Sequence, residues 1–397
     1  MNAADIAWVL IAAALVWLMV PGLALFYGGF THPKSMVNTF AMVLIAIAVG
    51  SIIWFAVGYS LAFSGDGAIL GNLNHAFLNG VSMVKSTSGG SIPDGAFALF
   101  QGMFPMITMA IIAGGVVGRM NFKAFLLFLI FWILLVYTPL AHMVWGGGLI
   151  AKMGALDFAG GDVVHISSGV SALVLALMIG KRRHMAELQA HRPTAIVIGG
   201  GLLWFGWFGF NAGSSLAANG QAILAFINTN LAAGTAMIAW MLIDMMLNKP
   251  IKVSGLMSGA VAGLVAITPA AGYVAPGGAA AMGAIVSVIV YFGTTFVKEK
   301  LGYDDTLDAF GIHGIGGVFG GLLTGVFATK AYSGTAGVLE GNWSLLGIQA
   351  VGILITIAVV VVATYVIAKV VSFIVPLRAD ENEEAMGLDA FYHGETI

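Results

Sequence analysis

The sequence predicts an all-α polytopic membrane protein with eleven transmembrane helices, laid out as two inverted five-helix repeats plus a long eleventh helix. Three observations carry that prediction. Hydrophobic residues make up 59% of the 397-residue chain and charged residues only 9%, against about 25% charged in a soluble domain. Apolar runs of about 20 residues, the length that spans a bilayer as a helix, recur along it. Finally, Lys and Arg gather in alternate loops between those runs.

The runs fall at about 6–30, 36–63, 97–118, 122–145, 161–180, 194–213, 222–246, 255–268, 279–297, 307–327 and 344–374. The eighth is short for a span, and the last is long enough to extend beyond the bilayer. No Lys or Arg precedes the first run, so the basic start of a signal peptide is missing and that run is read as the first membrane helix. Gly accounts for 55 residues. In membrane helices small residues let backbones approach closely, so most of these glycines are read as packing. Cysteine is absent, which excludes disulfides and thiolate metal sites.

Orientation follows from the basic residues. Lys34, Arg119, Lys123, Lys181, Arg182, Arg183, Arg192, Lys249, Lys252, Lys298, Lys300, Lys369 and Arg378 fall on one side of the predicted layout. Only Lys85, Lys152 and Lys330 fall on the other. Positive charge stays cytoplasmic. The expected protein is therefore multi-pass in the cytoplasmic membrane, with its N-terminus outside and its C-terminus inside.

Two histidines lie where they are expensive. His165, in Asp157–Gly169 (DFAGGDVVHISSG), opens span 5; His313, in 307–317 (LDAFGIHGIGG), opens span 10. An ionisable ring in hydrocarbon marks a functional position. Span 5 enters from outside and span 10 from inside, which suggests inverted halves with the site at the midplane between them. A Leu-Asp pair precedes each histidine, Leu156-Asp157 and Leu307-Asp308, and is read as an echo between the halves. Two facing neutral rings can share one proton, one donating and one accepting, whereas two charged rings would repel at close range. No further ligand falls at metal spacing beside either ring, so no metal is expected. The other six histidines sit in loops, in the tail or near span ends. Asp157 is expected to cap span 5 by accepting backbone N–H bonds. Asp162 either raises the local cation concentration or faces a loop.

These motifs carry a resemblance. DFAGGDVVHISSG, AHMVWGGG at 141–148, GWFGFNAGS at 206–214 and FGIHGIGG at 310–317 together resemble the ammonium transporter (Amt/Mep/Rh) family, over nearly the whole chain. The resemblance implies an outer substrate-binding site for ammonium at Phe104, Trp145 and Ser214. Ring faces attract cations, and a hydroxyl can accept an N–H. It implies a stacked gate of Phe104 and Phe210, a pore at His165 and His313, and structural support of the site by Asp157. Pro105 stands where the family usually has a small residue and is expected to bend span 3.

The tail from Arg378, RADENEEAMGLDAFYHGETI, is acidic and polar and reads as a solvated, partly disordered end. Its GLDAFYHGE resembles the family's C-terminal motif, which with the 181–192 loop implies docking of a PII-type (GlnK-like) signalling protein. The resulting division is a transmembrane transporter domain over 1–376 and a cytoplasmic regulatory tail over 377–397. Its halves lie at about 1–180 and 194–327, with the extra helix at about 344–374.

Four functions compete. The first is transport: recruitment of ammonium at the outer site, deprotonation, and passage of ammonia past the histidine pair, with methylammonium as an analogue. The resemblance further implies a homotrimer with one pore per subunit, and no cofactor. The second is an ammonium sensor signalling through its tail, although such proteins usually append a soluble domain and about 20 residues follow Arg378. A membrane enzyme would need a nucleophile or a metal set that the sequence does not offer, and a coupled solute transporter would need broken helices with polar backbone at the midplane. Transport is the expected function, the chain is expected not to be an enzyme, and no nucleic-acid partner is expected.

Overall fold

The structure is a computed structural model that describes residues 1–183 and 190–396. Ten described helices are long and apolar enough to cross a membrane. They are α1 (Ala3–Phe30), α2 (Pro33–Phe63), α3 (Asp94–Gly115), α4 (Phe122–Lys152), α5 (Gly161–Ile179), α6 (Pro193–Gly213), α7 (Gly220–Met246), α9 (Pro276–Leu301), α10 (Phe310–Phe327) and α11 (Trp343–Ile374). Between α7 and α9 lies α8 (Val253–Ile267), apolar but only 15 residues long. At 1.5 Å per residue α8 measures about 22 Å, short of the ~30 Å hydrocarbon layer. Among the described residues there is no β-strand, only the isolated bridges Met120–Arg378 and Val274–Ala328.

Local chemistry sets where these helices begin. Asn2, Asn121, Asn219 and Asn342 each accept backbone N–H bonds at the starts of α1, α4, α7 and α11, satisfying donors that a helix cannot pair internally. Pro193 and Pro276 open α6 and α9, where a missing N–H costs nothing. Most ends fall within about three or four residues of the expected spans; α3, for example, begins and ends about three residues early, and α4 departs furthest, continuing past Val144 to Lys152. Within α4 the stretch 145–148 interrupts the helix before Leu149–Lys152 resumes it. His142, expected near a span end, is wholly buried in α4. Its ring nitrogens lie 2.9 Å from the Ala62 carbonyl and 2.7 Å from that of Gly67, which ties the loop after α2 to this break.

Close helix contacts rest on glycine. Gly199, Gly206, Gly209 and Gly213 line the face of α6 that packs on α1. A side chain there would run into Gly22, Leu15 or Ala12 of α1, so the glycines set how near the two backbones come.

The end of α1, the start of α2 and the loop after α3 meet on one face, which carries the C-terminal tail. The tail is helical in two short segments and only partly solvated. Asp380 and Glu383 form a reciprocal cap that starts Glu381–Met386, and Leu388–His393 follows. Leu388 and Asp389 are buried, and the Asp389 carboxylate accepts the Asn38 N–H at 2.7 Å, close to the start of α2. The polar composition of the segment misleads because one of its buried residues, Asp389, makes a polar contact. Of the 181–192 loop, residues 184–189 lie outside the described residues, as does Ile397. On the same face Arg119, fully buried, donates to the Gly180 carbonyl and Thr306. Burial pushes the Asp304 carboxyl up, but the Arg182 guanidinium, held at 2.7 and 2.8 Å, together with Arg119 keeps it below the usual carboxylate range.

Candidate functional site

The two histidine segments begin with the same device. Asp157 is buried and accepts the N–H groups of Gly160, Gly161, Asp162 and Val163 at 2.6–3.5 Å. These donors lie just before and within the first turn of α5, a π-turn over Gly161–Ile166. Asp305 accepts the N–H groups of Ala309, Phe310 and Gly311 at 2.8–3.3 Å, and α10 likewise begins with a π-turn, Phe310–Ile315. The counterpart of Asp157 is thus Asp305 and not Asp308, which corrects the Leu-Asp echo. Asp308 sits at a left-handed φ of 58° and pairs with Lys298 at 2.7 Å. The signal lay in the spacing, since each capping Asp stands eight positions before its histidine.

The caps aim the two turns at one another. His165 Nδ1 and His313 Nδ1 are 3.1 Å apart, and both side chains are buried. A glycine four residues past each histidine makes the approach possible. A Cβ on Gly169 would collide with the Gly314 backbone, and one on Gly317 would sit 3.1 Å from the His165 Cβ. On its other side His165 Nε2 lies 3.3 Å from the Thr268 hydroxyl, which also receives the Trp207 indole N–H at 2.9 Å. The His165 ring stacks on Trp207 at 5.4 Å and on Phe210 at 6.0 Å.

Three cavities run in series through this point. One of about 290 Å³, on the face opposite the tail, is lined by Gln101, Phe104, Trp145, Asp157, Ser214 and Tyr273 among others. It ends at Phe104, whose ring lies 4.6 Å from Phe210 at 40° and 5.8 Å from Trp145 at 80°. Behind Phe210 comes a constriction of about 10 Å³, bounded by His165, His313, Trp207, Val261 and Ile312 among others, hardly more than one water wide. Phe26 and Ile312 also line the third cavity, about 620 Å³, which carries Arg182, Lys252 and Lys298 on the tail face. Everything bounding the constriction apart from the two histidines is apolar or aromatic.

The structure therefore brings Phe104, Trp145 and Ser214 around one cavity, puts Phe104 against Phe210 at its floor, and sets His165 and His313 beyond. The α3 helix continues through Pro105, and Phe104 keeps its contact with Phe210. Ser214 donates to the Phe210 carbonyl at 2.8 Å, leaving its oxygen lone pairs for an N–H donor. Trp145 donates its indole N–H to the Asp157 carbonyl at 2.9 Å, so the capping residue also orients the aromatic wall. Asp162 takes neither place expected for it: it is buried in the first turn of α5, near Gly352 of α11. Gln101, Trp207, Thr268 and Asp305 were not singled out from sequence. The Gln101 side-chain oxygen is buried in the wall of the first cavity without a hydrogen-bond partner among the described residues. Nothing local in the sequence marks Thr268, which is 103 residues from His165.

Membrane-length helices around a narrow, largely apolar passage define a multi-pass membrane protein built to move a small solute. A model of the Ammonium Transporter Family matches residues 7–397, and the chain belongs to this family. It is 49% identical to an ammonium transporter of Bacillus subtilis over 397 residues, covering 100% of this chain and 98% of that one. The crystal structure of Saccharomyces cerevisiae Mep2 superposes with a TM-score of 0.89 at 35% identity, over 96% of this chain and 88% of that one. A Sensor Amt Protein superposes with a TM-score of 0.90 at 28% identity, over 98% of both chains.

Proposed function

We propose that the chain carries ammonium across the cytoplasmic membrane by binding the ion outside and passing it inward as ammonia. The observation that carries this reading is the series of cavities interrupted by one aromatic pair and one histidine pair. Trp145 and Phe104 offer ring faces to a cation, and Ser214 offers a hydroxyl oxygen. The apolar constriction opposes a charged ion, because dehydrating it there without compensation costs on the order of several kcal/mol or more. Ammonia is neutral and small, and the histidine rings provide polar groups along an otherwise apolar wall.

The same reading counts α8 as an eleventh span. Two inverted five-helix halves then meet at His165 and His313, with α11 added outside them. The shared Asp caps, π-turns and glycines support this arrangement. It places the N-terminus outside and the basic tail face in the cytoplasm. It also takes in a homotrimer with a pore in each subunit and a PII-type partner at the tail, both on the strength of family membership.

The test is current and isotope uptake by the purified protein in liposomes, with ammonium and methylammonium. Uptake that saturates and is competed by methylammonium is the expected result. A second reading, an ammonium sensor, draws on the likeness to the Sensor Amt Protein. Ligand binding without uptake would favour it and overturn transport.

A further inference from the structure

We propose that Thr268 is a positioning residue that fixes which nitrogen of each pore histidine carries the proton. The consequence for transport rests on the reading above; the assignment itself does not.

The Thr268 hydroxyl has one proton and two lone pairs to share among three neighbours. Trp207 Nε1 can only donate, so at 2.9 Å it occupies one lone pair of the Thr268 oxygen. Thr268 has a single proton to give, and two groups are in reach. The Leu264 carbonyl lies at 2.8 Å and His165 Nε2 at 3.3 Å. The carbonyl can only accept and is half an ångström nearer, so it takes the proton. The second lone pair of the Thr268 oxygen then faces His165 Nε2, which must be an N–H.

A neutral imidazole carries one N–H, so His165 Nδ1 is bare and accepts. The atom facing it at 3.1 Å, His313 Nδ1, must donate. His313 Nε2 is left bare, since the ring's one hydrogen bond among the described residues is at Nδ1. Donation therefore runs one way, from His313 to His165 to Thr268 to Leu264. Both nitrogens of His165 are engaged, and the only free proton-accepting atom of the pair is His313 Nε2. An ammonium ion that loses its proton inside the constriction would hand it to that atom. One N–H bond of the ion breaks, one forms on Nε2, and ammonia remains.

The experiment is solid-state ¹⁵N NMR on ¹⁵N-histidine protein in liposomes, with the pair's signals identified by their loss in His165→Ala and His313→Ala. The expected wild-type spectrum has a protonated Nε2 and bare Nδ1 on His165, and the reverse on His313. A wild-type spectrum with His165 protonated on Nδ1 would overturn the proposal outright, with no variant needed. Thr268→Val keeps the side-chain shape and removes the hydroxyl, so both rings should show mixed tautomers. Thr268→Ser should restore the single assignment. Unmixed tautomers in Thr268→Val also overturn it. In liposomes, Thr268→Val should slow maximal uptake several-fold with little change in half-saturation, and Thr268→Ser should recover it. If the wild-type protein shows these tautomers and transports nothing, the assignment stands and the transport reading falls.

Discussion

Asp157 and Asp305 stand eight residues before His165 and His313, and each carboxylate accepts the backbone N–H groups of the fourth, fifth and sixth residues beyond it. The pairing assigns different work to two neighbouring acids. Asp305 holds the helix start that carries His313, whereas Asp308 makes a partly exposed ion pair with Lys298. Asn can accept through one oxygen only and turns an N–H₂ group toward the same donors. Asp305→Asn should therefore cost about 2–3 kcal/mol, the scale of a hydrogen bond to a charged group. Asp308→Asn should cost no more than about 1 kcal/mol, and Asn tolerates the left-handed backbone there. Denaturation of the two variants side by side tests this; equal losses would refute the equivalence of Asp157 and Asp305.

What could be read from sequence was what local composition and short motifs encode. The apolar runs give the membrane helices to within a few residues, and α8 already looked short at 255–268. The meeting of His165 and His313 is foreshadowed by their matching places at the starts of two spans. The Leu-Asp echo fails because adjacent residues suggested the match, while capping reach depends on distance along the chain to the helix start. Thr268 and the bonding of Trp207 depend on contacts between residues 61 and 103 positions apart, which no motif records. The buried part of the tail is hidden from sequence for a related reason: Asp389 finds its partner 351 positions away, at Asn38.

The tail makes a second prediction. Deleting Gly387–Ile397 removes the Asp389 carboxylate from the Asn38 N–H and the His393 ring from the Asn38 side chain, 3.1 Å away. The membrane helices should persist, at a cost of about 1–2 kcal/mol for the lost cap. A PII-type partner should bind the truncated protein more weakly. Equal binding and equal inhibition of both forms in a pull-down and liposome assay would end the regulatory reading.

At the outer cavity, Trp145→Leu should weaken ammonium capture by roughly 0.5–2 kcal/mol, the range of a cation–π contact, which is about 2- to 30-fold in half-saturation. The substitution also takes an N–H from the Asp157 carbonyl. Trp145→Phe separates the two effects, because it keeps an aromatic face and loses the same hydrogen bond. Affinity that falls equally in both variants would assign the effect to the lost bond, and unchanged affinity in a folded Trp145→Leu protein would remove Trp145 from the binding site.

Asp162 is an acid whose place in the structure suggests a net penalty. Its Oδ1 is buried without a partner among the described residues, beside α11 and outside the three cavities. Leaving a buried charged group unsatisfied costs about 1–3 kcal/mol or more, and an amide of the same shape costs less. Asp162→Asn should raise thermal stability by about 1 kcal/mol and leave the half-saturation for ammonium unchanged. A clear loss of ammonium affinity would show instead that the carboxylate acts on the substrate.

The last prediction concerns discrimination between ammonium and potassium. Both are monovalent cations of similar size, so an aromatic mouth alone separates them poorly. The proposed separation lies in chemistry: ammonium can leave its proton behind and cross the constriction neutral, and potassium cannot. Apart from His165 and His313 the polar atoms on the constriction's side chains are the Tyr27 hydroxyl and the Trp207 indole N–H, which donate to the Ile111 carbonyl and to Thr268, so a dehydrated potassium ion finds little to replace its water. His165→Asp puts a carboxylate where a ring stood between Phe210 and His313. A fixed negative charge in a low dielectric stabilises any bare cation, which removes the penalty that excluded potassium. Potassium current should appear in His165→Asp liposomes, while His313→Ala should slow ammonium uptake without admitting potassium. Were the pair only packing, both variants would either misfold or behave as wild type. Folded variants that keep wild-type potassium exclusion and wild-type ammonium current would rule the histidines out of the transport mechanism.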